Sequence, residues 1–185
     1  MKKVFLAGLF VTLPIAASAE TYTIDPAHTY PNFEISHLGF STMHGRFNST
    51  KGKIEMELGK SGSVDIVIDA SSIDTAFKKR DEHLRSPDFL NTAEFPEITY
   101  KSTSVKFKGD SKATVEGNLT IMGVSKPVTL NVTSITCGNH PFNKKPMCGF
   151  DAEATIKRSD WGVKYGLPAI GDEMKIHLEA EAVKE

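Results

Sequence analysis

Apolar and polar residues alternate with a period of two through most of this chain, and no other feature constrains its fold as much. Successive side chains of a strand point to opposite faces, so the pattern marks half-buried β-strands rather than helices. Eight stretches carry it. Phe33, Ile35 and His37 share a face, with Asn32, Glu34 and Ser36 on the other. Gly45 and Phe47 open a second stretch, which continues through Ile54, Met56 and Leu58 after a slip in phase. A bulge is expected at that slip, at Gly52. Val64, Ile66 and Ile68 form the third set. Ile98 and Tyr100, then Val105 and Phe107 after a second slip, form the fourth. Val115, Gly117, Leu119 and Ile121 make the fifth, with a turn expected over Gly123 and Lys126-Pro127. Val128, Leu130 and Val132 follow, then Phe150, Ala152, Ala154 and Ile156. The last set is Met174, Ile176, Leu178, Ala180 and Ala182, opposite Glu173, Lys175, His177, Glu179 and Glu181.

Eight antiparallel strands with one apolar face each can close into a barrel, whose interior is either filled by side chains or holds one small ligand. Gly117, Ala152, Ala154, Ala180 and Ala182 are small residues on apolar faces, and their smallness points to an open interior. A membrane barrel would turn its apolar face outward to lipid, leaving the charged row of the last strand to face a lumen, and it would need aromatic girdles that this chain lacks.

Residues 71–100 break the alternation. Helix formers and charges predict a short helix over 75–85, with Asp74 or Thr75 as N-cap and Pro87 ending it. It reads as a cap over one barrel end. Arg80, Asp81, His83 and Arg85 form the densest polar cluster of the chain, and Arg80, Asp81 and His83 are its one candidate acid–base set. Three readings stay open for it: a structural role fixing the cap, contact with a ligand head group, or catalysis. Residues 159–172 form a long apolar loop with Trp161, Val163, Tyr165, Leu167 and Ile170, punctuated by Gly162, Gly166 and Gly171. It suits either a lid over the barrel mouth or a segment pinned to the wall.

Lys2 and Lys3, the apolar run to Ala16 and Ala17-Ser18-Ala19 read as a cleaved signal peptide over 1–19, leaving one domain at 20–185. Taking Lys2 and Lys3 away leaves 20 basic against 23 acidic residues, a net charge of −3 that argues against nucleic acid and against anionic lipid surfaces. Two cysteines in an exported chain predict a Cys137–Cys148 disulfide across a hairpin tip. Gly59-Lys60-Ser61 lacks the earlier glycine of a phosphate loop, and no nucleophile elbow occurs. No histidine spacing matches a metal site, although His28, His37 and His83 could meet in space.

Several runs of residues resemble the YceI-like family: Ser72-Ile73-Asp74-Thr75, Arg80-Asp81-x-His83-Leu84, Asp88-Phe89 and Pro96. His28, Phe33-x-Ile35-x-His37 and Gly45-x-Phe47 are similar to that family's first strands. Gly117-x-Leu119-Thr120-Ile121-x-Gly123-Val124 and Arg158-Ser159-Asp160-x-Gly162 are similar to its later motifs. The likeness spans the mature chain in order. It implies an all-β, eight-stranded antiparallel lipocalin-like barrel with a short helical cap and a long apolar loop. It also implies a periplasmic protein that binds an isoprenoid lipid, such as a quinone or polyprenyl compound, with no other cofactor and no metal.

Combined with the strand pattern, this makes Phe33, Ile35, His37, Ile66, Ile68, Leu119, Ile121, Phe150, Ala154, Ile156, Ile176 and Leu178 the expected tunnel lining. His83, Phe89, Trp161 and Tyr165 are expected at its mouth. A carrier is the expected function, with room for a homodimer and for transient contact with inner-membrane proteins. A lipid head-group enzyme and a ligand-free stress or interaction module are the alternatives.

Overall fold

The computed structural model describes residues 19–185, so the expected signal peptide, apart from Ala19, lies outside the described residues. Eleven strand segments and one α-helix follow in order. They are β1 (Glu20–Ile24), β2 (Tyr30–His37), β3 (Ser41–Phe47), β4 (Thr50–Glu57), β5 (Ser61–Asp69), β6 (Ile73–Asp74), α1 (Lys78–Arg85), β7 (Glu97–Phe107), β8 (Ala113–Ile121), β9 (Val124–Asn139), β10 (Pro146–Lys157) and β11 (Ile170–Lys184).

The segments form a closed eight-stranded antiparallel barrel, because three pairs of them act as single interrupted strands. One edge of β11 pairs with β2 along Ile170–Glu179 and with β1 along Ala182–Lys184. In the same way β3 pairs with β2 while β4 pairs with β1, and β6 pairs with β3 while β5 pairs with β4. The first interruption, at 25–29, is a local turn in which the Asp25 carboxylate accepts the Ala27 N–H at 2.9 Å. Such side-chain bonds to nearby backbone compete with the ladder.

Three sequence expectations need correction. The phase slip of the second stretch falls at 48–49, between β3 and β4, and not at Gly52. Gly52 lies in unbroken pairing opposite Ile66, where a Cβ would come within 2.2 Å of the Asp65 carbonyl. The turn after β8 is Met122-Gly123, with φ of 49° and 72°, whereas Lys126-Pro127 lie inside β9. Pro127 is tolerated there because β10 pairs with β9 only from Asn131 onward, so no neighbour asks for its missing N–H. Finally, α1 starts at Lys78 with Phe77 as an N-cap that has no side-chain bond. Asp74 instead accepts from Ala76 N–H at 2.8 Å, holding the chain in a turn before the helix. The expected slip in the fourth stretch is present as a register shift between Ser102 and Ser104.

Buried side chains cluster at both ends of the barrel, with Ile68, Ala70 and Ile98 near the α1 end and a second group away from α1. Tyr22, Ile24, Ile54, Met56, Cys148 and Ala182 form this second group. Cys137 and Cys148 face each other across β9 and β10 and are joined by a disulfide, their Cα atoms 4.1 Å apart.

Candidate functional site

The inward faces of the strands enclose a cavity of about 590 Å³. That lies within the range of small-molecule sites, roughly 300–1,000 Å³. Its walls are mainly isoleucine, valine, leucine, phenylalanine and alanine from every part of the barrel, with a few polar side chains among them. Of the residues expected at the site, Phe33, Ile35, His37, Ile66, Ile68, His83, Phe89, Leu119, Ile121, Phe150, Ala154, Ile156, Tyr165, Ile176 and Leu178 all border it.

Trp161 does not. It is buried, 3% exposed, outside the cavity lining, with its indole N–H donating to the Leu119 carbonyl at 3.0 Å. An indole has one donor and needs one acceptor when buried, and the backbone of β8 supplies it. Of the small residues, Ala152, Ala154 and Ala180 do border the cavity, but Gly117 and Ala182 do not. Ala182 sits in the packed cluster. The space over Gly117 is taken by Tyr100, whose Cζ would lie 2.6 Å from any added Cβ. The Tyr100 hydroxyl reaches the Val115 and Val128 carbonyls, each at 3.1 Å, and burial pushes its pKa up to about 12.

The mouth lies between α1 and the 159–172 loop, where Phe77, Lys79, His83 and Tyr165 border the cavity. The rings of His83, Phe89 and Tyr165 meet there, with centroids 5.0 to 5.1 Å apart and the His83 contacts edge-on. Phe77 and Tyr165 also border the cavity while remaining 54% and 49% exposed. Aromatic edges at such a point can part without breaking any hydrogen bond of the barrel.

The polar cluster on α1 is spent largely on holding this cap. Arg80 Nε donates to Thr75 Oγ1 at 2.7 Å and Nη2 to the Thr75 carbonyl at 2.6 Å. Its guanidinium also lies over the Phe77 ring at 5.6 Å. The buried Asp81 carboxylate accepts both the backbone N–H of Thr75, at 2.9 Å, and its hydroxyl. His83 Nε2 sits 2.9 Å from Asp88 Oδ2. The helix thus ties back to the strand end just before it.

The long loop is pinned at its base and open at its tip. Arg158, 4% exposed, donates to the carbonyls of Gly171, Val163 and Ile170 at 2.8, 3.0 and 3.1 Å. Burial lowers its pKa from the ordinary arginine value. Ser159 donates its N–H and its hydroxyl to Asp172, at 2.9 and 2.7 Å, and these bonds hold that carboxyl below its usual range. The reading of a segment pinned to the wall thus holds for the base of the loop, while Tyr165 borders the cavity and stays half exposed.

His28 does not join His37 and His83 at the cavity. It lies on the outside, its Nδ1 2.9 Å from Asp25 and 3.9 Å from Glu181. The hydrogen bond to Asp25 raises the imidazole pKa above its ordinary value. Phe47 and Val163, read from the sequence as apolar strand and loop residues, also border the cavity, as do Met43, Thr50, Phe77 and Leu84, which escaped that reading. Met43 could have been found, since it shares the face of Gly45 and Phe47.

Comparison with known proteins gives four likenesses of note. The chain matches the model of the YceI-like domain over residues 22–182. It is 38% identical over 192 residues to protein YceI of Escherichia coli O157:H7, with both chains covered in full. Among solved structures it resembles BcnA of Burkholderia cenocepacia, with a TM-score of 0.74 and 24% identity over 85% of this chain and 98% of that one. It also resembles a polyisoprenoid-binding domain from Saccharophagus degradans implicated in plant cell wall breakdown. That match has a TM-score of 0.66 and 17% identity over 89% of this chain and 98% of the other, and at such identities it speaks for the fold.

Proposed function

The chain belongs to the YceI-like family, and from that premise we propose that it is a periplasmic carrier holding one long isoprenoid chain, such as the tail of a quinone or polyprenyl compound, inside its barrel. The observation that carries this reading is the apolar cavity of about 590 Å³ bordered by side chains from around the whole barrel. The polyisoprenoid-binding domain of like fold supports the ligand class.

The energetics favour a long apolar tail. Burying a CH₂ group contributes about 0.8 kcal/mol, so a five-carbon prenyl unit contributes about 4 kcal/mol. Association costs roughly 4–15 kcal/mol in lost freedom. A few prenyl units therefore outweigh that cost without any polar contact. The mechanism is solubilisation: the apolar wall shields the tail from water, and the aromatic edges at the mouth part and close over it. The commitment of Arg80 and Asp81 to Thr75 favours a carrier over an enzyme acting at the mouth, since groups held in the cap are poorly placed to shuttle protons.

Mass spectrometry of an organic extract of the purified protein tests the proposal. One isoprenoid per protein is the expected result. Folded protein that yields no lipid and takes up no added isoprenoid quinone would end the carrier reading.

A further inference from the structure

Among the described residues three buried side-chain polar atoms lack a hydrogen bond: Thr50 Oγ1, Arg85 Nε and His177 Nε2. Only Thr50 borders the cavity. It is 3% exposed and opens β4 directly after the break at 48–49. Along β4 it shares a face with Ile54 and Met56, the buried inward face, while Lys51, Lys53 and Glu55 point out. Across the sheet it meets Ile68 of β5, whereas on the other flank β1 stops pairing at Lys53. The interruption of the strands thus leaves this hydroxyl with apolar neighbours and no carbonyl to receive its proton.

Of the other polar side chains bordering the cavity, His37, Lys79 and Tyr165 make no side-chain hydrogen bond but are not buried, so solvent reaches them, and the rest have partners of their own. Thr29 bonds to the Glu181 backbone, Tyr100 to two carbonyls of the wall, and Arg158 to three. Asn32 donates to the Tyr30 carbonyl. Lys79 and Arg80 belong to α1 at the mouth, and Glu55 and Glu179 lie on the outward faces of β4 and β11. A buried hydroxyl without a partner destabilises the protein, and a hydrocarbon tail beside it leaves it so. A neutral carbonyl or hydroxyl oxygen gives it the bond it lacks. A phosphate would need far more than one hydroxyl to offset the loss of its hydration.

We propose that Thr50 selects the ligand by hydrogen bonding, through Oγ1, to a neutral oxygen carried inside the barrel. The preferred occupant is then an isoprenoid with a carbonyl or hydroxyl head, a prenylquinone or prenyl alcohol, inserted so that its oxygen reaches β4. This deepens the carrier reading and rests on it.

The test compares four probes of equal chain length on the lipid-stripped protein: a prenylated benzoquinone, the prenyl alcohol, the hydrocarbon and the prenyl phosphate. Wild type is expected to bind the quinone or the alcohol about five- to tenfold more tightly than the hydrocarbon, and the phosphate no better than the hydrocarbon. Thr50→Val keeps the shape and removes the hydroxyl. It should abolish the margin over hydrocarbon, and Thr50→Ser should keep the margin. If Thr50→Val does not fold, Thr50→Ala provides the same comparison. An unchanged margin in the hydroxyl-free variant, no margin in wild type, or tightest binding of the phosphate would each overturn the assignment of Thr50 while leaving the carrier intact. Failure of all four probes to bind wild type would remove the carrier reading, and this inference with it.

Discussion

The two ends of the barrel are held together by different forces. Away from α1, Tyr22, Ile24, Ile54, Met56, Cys148 and Ala182 pack with none more than 8% exposed, beside a disulfide that ties β9 to β10. At the α1 end directional bonds do more of the work: Arg80 and Asp81 on Thr75, Ser159 on Asp172, Arg158 on three carbonyls, and rings meeting about 5 Å apart. The contrast has a physical logic. Apolar packing is strong and undirected, so it suits an end that need not move. Around the entrance the burial of Ile73, Phe89, Trp161 and Val163 is supplemented by hydrogen bonds that fix the bases of these segments while leaving exposed ring edges free to part.

Three variants sharpen or break this comparison. The largest effect is expected from Arg158→Ala. Removing the guanidinium orphans three carbonyls and unties the loop, so stability should fall by roughly 3–5 kcal/mol, with weaker retention of bound lipid. Chemical denaturation with a lipid dissociation assay checks both, and a loss of stability without faster lipid release would show that the loop does not guard the mouth. Next is replacement of both Cys137 and Cys148 by alanine. A short closed loop of this kind contributes about 3 kcal/mol, so the melting temperature should drop while affinity for an isoprenoid stays as it was. Affinity falling in step with stability would mean the two ends are coupled. The smallest effect on stability is expected from Ala154→Phe. Overpacking a filled core costs about 1–3 kcal/mol, but a ring entering open space should cost less. Stability should stay within about 1 kcal/mol of wild type, with preference shifted to shorter chains. A clear loss of stability with unchanged chain-length preference would mean that Ala154 faces a packed core.

The barrel was legible in the sequence because strand periodicity is local. Phe33, Ile35, Ile66, Ile68, Ile176 and Leu178 announce their face by their own neighbours, and all border the cavity. What was not legible depends on partners distant in sequence. That Tyr100 covers Gly117, so that this glycine opens no space, depends on the register between β7 and β8. Trp161 looked like a guard because an aromatic residue in an apolar loop can turn either way. The acceptor that decides it, the Leu119 carbonyl, lies 42 residues earlier. Thr50 gave no signal, because an unpartnered hydroxyl is defined by what fails to reach it.

The seam where β11 meets β1 and β2 carries a lesson about time. Tyr22 lies opposite Lys184, and the Thr23 hydroxyl bonds to Glu185, 162 residues further on. Neighbouring hairpins such as β8–β9 close over a few residues and can form early, whereas joining segments this far apart costs far more chain entropy. The seam is therefore expected to zip last. Until it does, there is a curled sheet with its apolar face to water and no enclosed interior at all. A tail lying on that open face would be enclosed as the edges met, so that for the first cargo assembly and loading would be one event, and only later cargoes would need the mouth.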